Sequence, residues 1–200
     1  MKSNLTILLL VIPLLSFSQS KFELGLQAGG GFTKFTNSNR SLIPSYHFGG
    51  SISYPLGEKT YLKTNILYSG LNFKDQILLI GGITDENDFT KTRLGYIQLP
   101  FSYNLSSKTK AFDLGFGTSF DFLVNEKATT ILYGQTSEEF DTGYNNFQFD
   151  LFLELNFVVN KTISIYAKYQ QSLTPFTKDE NYQDDRKAMN FNLGLNYKLN

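Results

Sequence analysis

The sequence predicts an all-β chain, folded as an eight-stranded antiparallel up-and-down transmembrane β-barrel. Two observations support this class. Apolar and polar residues alternate through eight long segments, and the connections between these segments are alternately short and long. Because successive side chains of a strand point to opposite faces, alternation gives each strand one apolar and one polar face. No stretch of the chain has a convincing helical period.

The predicted strands are long. The alternation is clearest in Phe112–Val124, Phe147–Phe157 and Met189–Leu199. Strands of soluble sheets usually have about 5 to 6 residues, whereas a tilted strand needs about 9 to 11 residues to cross a bilayer. The eight segments lie near residues 22–35, 45–56, 60–73, 92–105, 111–124, 146–159, 162–172 and 188–199.

Two features interrupt the alternation. The apolar phase changes within the third strand, which predicts a bulge at Gly70. Pro100 lies inside the fourth strand, where it has no N–H for the ladder, so we expect a bulge or kink there.

The connections indicate how the strands are arranged. Short turns near 57–59, 106–110 and 160–161 alternate with long polar segments near 36–44, 74–91, 125–145 and 173–187. This order is typical of an even number of antiparallel strands with short periplasmic turns at one rim and long extracellular loops at the other.

Small residues indicate which face points inward. Glycine and serine recur on the polar faces, and the lumen of an eight-stranded barrel has room for little more than side chains. Tyr and Phe recur near strand ends of the apolar faces, as in the aromatic girdles of membrane barrels. The apolar face is therefore predicted to meet lipid. The small lumen residues are Gly25, Gly29, Gly31, Gly49, Ser51, Ser53, Gly115, Gly117 and Ser119.

The amino terminus has the pattern of a secretory signal peptide. Lys2 precedes an apolar run from Leu5 to Leu15, and small residues follow at Ser16 and Ser18. The run is shorter than the about 20 apolar residues of a spanning helix. The sequence thus predicts a signal peptide over residues 1–18 and a barrel domain over residues 19–200.

Composition argues against several functions. Lys and Arg together number 18, as do Asp and Glu, so no net charge favours nucleic acid. With no Cys and with His47 as the single histidine, we expect no metal site, no cofactor and no catalytic residues.

Charged residues on the predicted polar faces form a candidate structural network. Unpaired charge in a narrow lumen is costly, so these side chains should pair and hold the barrel closed. The predicted network consists of Lys63, Asp113, Asp121, Asp150, Glu154, Lys168 and Lys198.

Several short motifs resemble one family. The opening strand Glu23–Gly31, Leu67-Tyr68-Ser69 and the segment Tyr96–Phe101 look like the small outer-membrane β-barrel proteins of Bacteroidetes, the PorT-like family. The resemblance covers the whole mature chain and implies a bacterial outer-membrane location. Some relatives take part in a secretion and gliding-motility apparatus.

Three function classes follow. The first is a non-enzymatic, monomeric outer-membrane barrel that contacts lipid and serves as an anchor, a surface-interaction platform or a component of a secretion or surface assembly. Its long loops would then contact other envelope or secretion proteins. The alternatives are a lipid-modifying barrel enzyme that uses His47 and a secreted lipocalin-like carrier.

Overall fold

A computed structural model describes residues 22–36, 42–76, 88–109, 111–139, 143–177 and 187–199 of the chain. The predicted signal peptide, residues 1–18, lies outside these ranges. The part of the chain that is described contains no helix long and apolar enough to cross a membrane.

The described residues form nine strands. Eight of them match the predicted segments, and a short additional strand, β6, follows the fifth. The strands are β1 Glu23–Phe35, β2 Ile43–Pro55, β3 Thr60–Gln76, β4 Phe89–Ser106, β5 Phe112–Leu132, β6 Gln135–Glu139, β7 Phe147–Val158, β8 Ile163–Ser172 and β9 Ala188–Lys198.

Antiparallel pairing closes eight of these strands into a barrel. Each barrel strand pairs with the next along the chain, β5 pairs with β7, and β1 pairs with β9 to close the ring. The closing ladder runs from Gly25 opposite Lys198 to Phe35 opposite Ala188. The predicted eight-stranded antiparallel up-and-down barrel is confirmed.

The two faces of the barrel differ as the alternation predicts. Large apolar side chains point outward and are exposed; Ile66 and Leu193, for example, are 63% and 65% exposed. Polar side chains such as Gln27, Asn104 and Gln170 point inward and are at most 1% exposed. The polar face is therefore the lumen.

The two rims also differ. The turns at 56–59 and 159–162 and the turn that begins at 107–109 lie at one end together with both described chain ends. We call this end the turn rim. The strand ends that the longer connections join lie at the opposite end, which we call the loop rim. The turns are tight: Gly57 N–H donates to the Thr60 carbonyl at 3.2 Å, and Asn160 N–H donates to that of Ile163 at 3.1 Å.

Three strands extend at least three residues further toward the loop rim than the sequence predicts. β3 continues to Gln76, β4 starts at Phe89, and β5 continues to Leu132. β5 then turns through Tyr133 and Gly134, whose φ angles are 50° and 75°, and returns as β6. Much of the segment predicted as loop 125–145 is therefore a β-hairpin.

The bulge predicted at Gly70 is wrong. The register of β3 with both neighbours is continuous through this residue. Gly70 faces outward, and a Cβ atom there would overlap the Tyr46 ring, so the glycine makes room for that ring. The phase changes because Leu67, Leu71 and Phe73 are apolar side chains that point into the lumen.

The register of β4 with both neighbouring strands is the same before and after Pro100, so the bulge expected there is not found. The β3–β4 ladder has no pairs at Leu99 and Pro100 and resumes unchanged at Gln98, which fits the missing N–H. The register shift between β4 and β5 lies instead between Gly95 and Tyr96.

The outward apolar surface predicts that the folded protein needs detergent or lipid. Exposed Leu, Ile, Phe and Tyr side chains ring the barrel, and burying apolar area is worth about 25 cal/mol per Å². We expect the protein to stay folded in detergent micelles and to migrate differently on a gel with and without heating. A stable monomer in detergent-free buffer would contradict this expectation.

Candidate functional site in the lumen and at the loop rim

A buried ion pair crosses the middle of the lumen. Lys63 on β3 donates a hydrogen bond to Glu154 on β7 at 2.8 Å, and both side chains are at most 7% exposed. Asn156 donates to the same carboxylate oxygen at 2.9 Å. Since β3 and β7 are not neighbours and are separated by β4 and β5 around the ring, this pair joins two parts of the barrel wall across the lumen.

Two further buried carboxylates lie closer to the loop rim. Asp121 accepts hydrogen bonds from Gln98 at 2.5 Å and from Gln170 at 3.3 Å, and it also accepts one from Ser119. Gln170 donates to Asp150 as well, so one amide bridges the two carboxylates. These contacts join β4, β5, β7 and β8 through side chains.

His47 lies on the opposite wall, where it hydrogen-bonds to Tyr166. Its side chain is buried, and the Tyr166 ring fits because Gly29 and Gly194 carry no Cβ atom. A Cβ atom at either glycine would lie about 2.5 Å from the Tyr166 hydroxyl. The glycines of β1 and β9 thus create the space for this pair.

The other predicted network residues have different surroundings. Lys168 is buried in the lumen, with its ammonium 5.6 Å from the centroid of the Phe152 ring. Asp113 accepts a hydrogen bond from Tyr61 at 2.9 Å and is partly buried near the turn rim.

Lys198 does not belong to the buried network. It follows the inward phase of β9 but lies at the open turn rim, where it is about half exposed and pairs with Glu23 at 2.6 Å. Its position at the end of the strand explains the difference, because the barrel wall no longer encloses the side chain there.

An apolar cluster, which the sequence did not predict, fills the loop-rim end of the lumen. Tyr144 and Phe176, from the segments before β7 and after β8, fold into the barrel mouth. The centroid of the Phe176 ring lies 4.3 Å from the centroid of the Phe35 ring and 5.0 Å from that of the Tyr144 ring. The cluster comprises Phe35, Ile43, Leu71, Phe73, Leu94, Tyr96, Tyr144, Phe176 and Ala188.

Beyond this cluster, the hairpin of β5 and β6 projects from the loop rim. Every residue of β6 is exposed, and it pairs with β5 from Ala128 opposite Glu139 to Leu132 opposite Gln135. Within the described ranges, no strand pairs with the other edge of β6. An open strand edge is a template for pairing with another chain.

The lumen offers little basis for catalysis on lipid. Such a reaction would need His47, the only histidine of the chain, at the lipid-facing surface. Its side chain instead lies inside the barrel and is 4% exposed. Among the residues that the structure describes, no group of three His, Cys, Asp or Glu side chains could hold a metal ion.

We predict that Glu154→Gln destabilises the barrel, because it leaves the Lys63 ammonium buried without its carboxylate. Losing one partner of a buried pair costs about 3–5 kcal/mol. The measurement is the free energy of unfolding by urea in detergent. Glu23→Gln is the matched control, since it breaks the exposed pair with Lys198 and should cost about 0–1 kcal/mol. Equal losses for the two variants would refute the importance of the lumen pair.

We also predict that Phe176→Ala releases the segment between β8 and β9 without opening the barrel. The ring contacts Tyr144 and Phe35 at the mouth, where the closing ladder ends, so the rest of the ladder does not depend on it. Trypsin should then cleave faster at Lys178, Arg186 or Lys187, while the heat-dependent shift in gel mobility is retained. The exposed neighbour variant Leu173→Ala should leave cleavage unchanged. If both variants are cleaved at the wild-type rate, Phe176 does not anchor this segment.

Comparison with known proteins agrees with the geometry. The family model described as outer membrane protein beta-barrel domain matches residues 17–178. Among curated proteins, none matches the chain.

Several solved structures share the fold. Ail, the attachment invasion locus protein of Yersinia pestis, is 13% identical with a TM-score of 0.55, over 90% of this chain and 99% of that one. Ail in complex with the heparin analogue sucrose octasulfate is 11% identical with a TM-score of 0.52, over 89% of this chain and 97% of that one. Neisserial surface protein A is 12% identical with a TM-score of 0.52, over 89% of this chain and 97% of that one. At these identities, the likeness shows the fold alone.

Proposed function

Because the chain belongs to the family of the outer membrane protein beta-barrel domain and resides in the bacterial outer membrane, we propose that it is a non-enzymatic surface-interaction platform. In this proposal the barrel is a rigid anchor, and the segments at the loop rim bind other components of the cell envelope. In outer-membrane barrels, the longer loops lie on the extracellular side.

The observation that carries this proposal is the division of the molecule into a filled barrel and projecting segments. The outward strand faces meet lipid, and the inward faces are occupied with hydrogen bonds and packing. The turns of the turn rim are short. The β5–β6 hairpin, by contrast, is exposed and has an open edge, which a partner strand could extend by main-chain hydrogen bonds.

A narrower version of the proposal comes from the sequence motifs. The segments Glu23–Gly31 and Tyr96–Phe101 resemble the PorT-like barrels of Bacteroidetes. We propose on this resemblance that the chain is a component of a secretion or surface assembly, exported by the signal peptide of residues 1–18. The other envelope proteins of such an assembly would then be its partners.

The two alternatives have less support. A lipid-modifying enzyme would need His47 at the outer surface, and the histidine is buried against Tyr166. A lipocalin-like carrier would carry its apolar face inside around a ligand. Here the apolar face points outward.

Shortening the β5–β6 hairpin tests the proposal. The deletion removes residues 130–137 and joins Thr129 to Glu138 through a two-residue Asn-Gly turn. It shortens β5 by three residues at the loop rim and keeps the β4–β5 ladder from Ser106–Asp113 to Lys91–Thr129. We expect normal outer-membrane insertion and gel mobility, because changes in loop length cost only about 0.6 kcal/mol per doubling. A strain carrying the shortened protein should show the phenotype of the gene deletion.

The matched control alters the turn rim, where Glu58→Gly and Lys59→Gly change an exposed turn of the same barrel. This variant should retain the wild-type phenotype. The proposal fails for the hairpin if the shortened protein inserts normally and supports the full phenotype.

A further inference from the structure

Four cationic side chains form a compact cluster on the outward face near the loop rim. Lys74 of β3 is directly opposite Lys91 of β4, and Arg93 of β4 is directly opposite Lys127 of β5. Lys91 and Arg93 are two residues apart and therefore point to the same face. We call these four residues the basic cluster.

The register places like charges unusually close. Directly opposite residues of an antiparallel pair have Cβ atoms about 4.5–5.5 Å apart, and like charges at such positions are destabilising. The basic cluster contains two of these pairs in adjacent rows, Lys74 with Lys91 and Arg93 with Lys127. Lys74, Lys91 and Arg93 are exposed.

Two neighbours partly stabilise the cluster. Lys127 forms an ion pair with Glu138 of β6 at 2.7 Å. The Lys74 ammonium lies 3.6 Å from the centroid of the Phe89 ring, a cation–π contact on the same face. Beside Lys127, the side chains of Lys74, Lys91 and Arg93 place three exposed positive charges next to one another, an arrangement that favours an additional anion.

The height of the cluster relative to the membrane indicates which anion is available. Tyr68, which is paired with Ile97, lies in the same β3–β4 ladder as the basic cluster but nearer the turn rim. The centroids of the Tyr46 and Tyr68 rings lie 6.4 Å apart on the outward surface. Such aromatic rings mark the interface between hydrocarbon and headgroups. Outward Lys and Arg cost about 2–4 kcal/mol at the bilayer midplane but about 0–1 near the interface. The basic cluster therefore lies at headgroup level.

We propose that the basic cluster binds the phosphate groups of lipopolysaccharide, the phosphorylated glycolipid of the outer leaflet. The Arg93 guanidinium can hold a phosphate with two parallel hydrogen bonds, while the three lysines supply point charges around it. Bound phosphate would replace the repulsion across the two ladders with attraction. Because the site faces the lipid, a headgroup reaches it by lateral diffusion within the leaflet.

The test uses the full-length mature barrel in a neutral detergent, titrated with lipopolysaccharide while the melting temperature is recorded. The double variant Lys91→Gln with Arg93→Gln should bind at least tenfold more weakly. Without lipid it should be at least as stable as the wild type, because the opposed charges are gone. The wild type should bind dephosphorylated lipopolysaccharide at least tenfold more weakly as well.

The matched control is Lys34→Gln with Lys59→Gln. Lys34 is an exposed, outward-facing lysine near the loop rim of β1, and Lys59 is exposed at the turn rim. This double variant removes the same formal charge and should bind as the wild type does.

Three results would overturn the proposal. They are equal affinity of the Lys91/Arg93 variant and the wild type, equal affinity for phosphorylated and dephosphorylated lipid, and equally tight binding of inorganic phosphate or a soluble sulfated polysaccharide. The last result would assign the cluster to a soluble anion. The dephosphorylation comparison uses only the wild type, so it can overturn the proposal even if a variant fails to fold.

Discussion

The pairing of β1 with β9 is the contact on which the rest of the structure depends. In hydrocarbon, an open sheet edge would leave a row of backbone N–H and C=O groups without partners, at several kcal/mol for each group. The ladder from Gly25–Lys198 to Phe35–Ala188 removes that edge. Closure then fixes which face of every strand is enclosed. The apolar residues of the alternating pattern therefore form the lipid-facing surface, and the polar residues line the lumen.

The filling of the lumen follows from the small size of the ring. With eight strands there is space for side chains but little else. Polar side chains must therefore find partners across the barrel, as Lys63 and Glu154 do at 2.8 Å. At the loop rim the filling becomes apolar, with Phe176 packed beside Phe35. Because the walls are joined through the lumen, the barrel is a rigid support for the segments that project from it.

The sequence predicted the strands, the closure and the inward phase, because strict alternation and sorted loop lengths are local signals. It did not predict the apolar cluster, since Tyr144 and Phe176 lie in segments without periodicity and meet Phe35 only in the fold. It missed the β5–β6 hairpin because the turn has Tyr133 before Gly134, where Asn or Asp is the usual signal. Lys198 shared the inward phase, but alternation alone does not reveal where the enclosing wall ends.

Single-cysteine labelling in the outer membrane tests the central claim most directly, and the chain itself contains no cysteine. Ser69→Cys and Ser119→Cys place a thiol on the lumen face, whereas Leu153→Cys and Leu193→Cys place it on the outward face. The account predicts that a water-soluble maleimide labels none of the four variants in the outer membrane. In a second experiment, a fluorescent maleimide is attached to each unfolded variant before it is refolded into lipid. A lipid-soluble quencher should then reach only the labels at the two leucine positions. Rapid labelling of the serine positions by the water-soluble reagent would contradict a filled lumen. Rapid labelling of the leucine positions would contradict a lipid-facing surface.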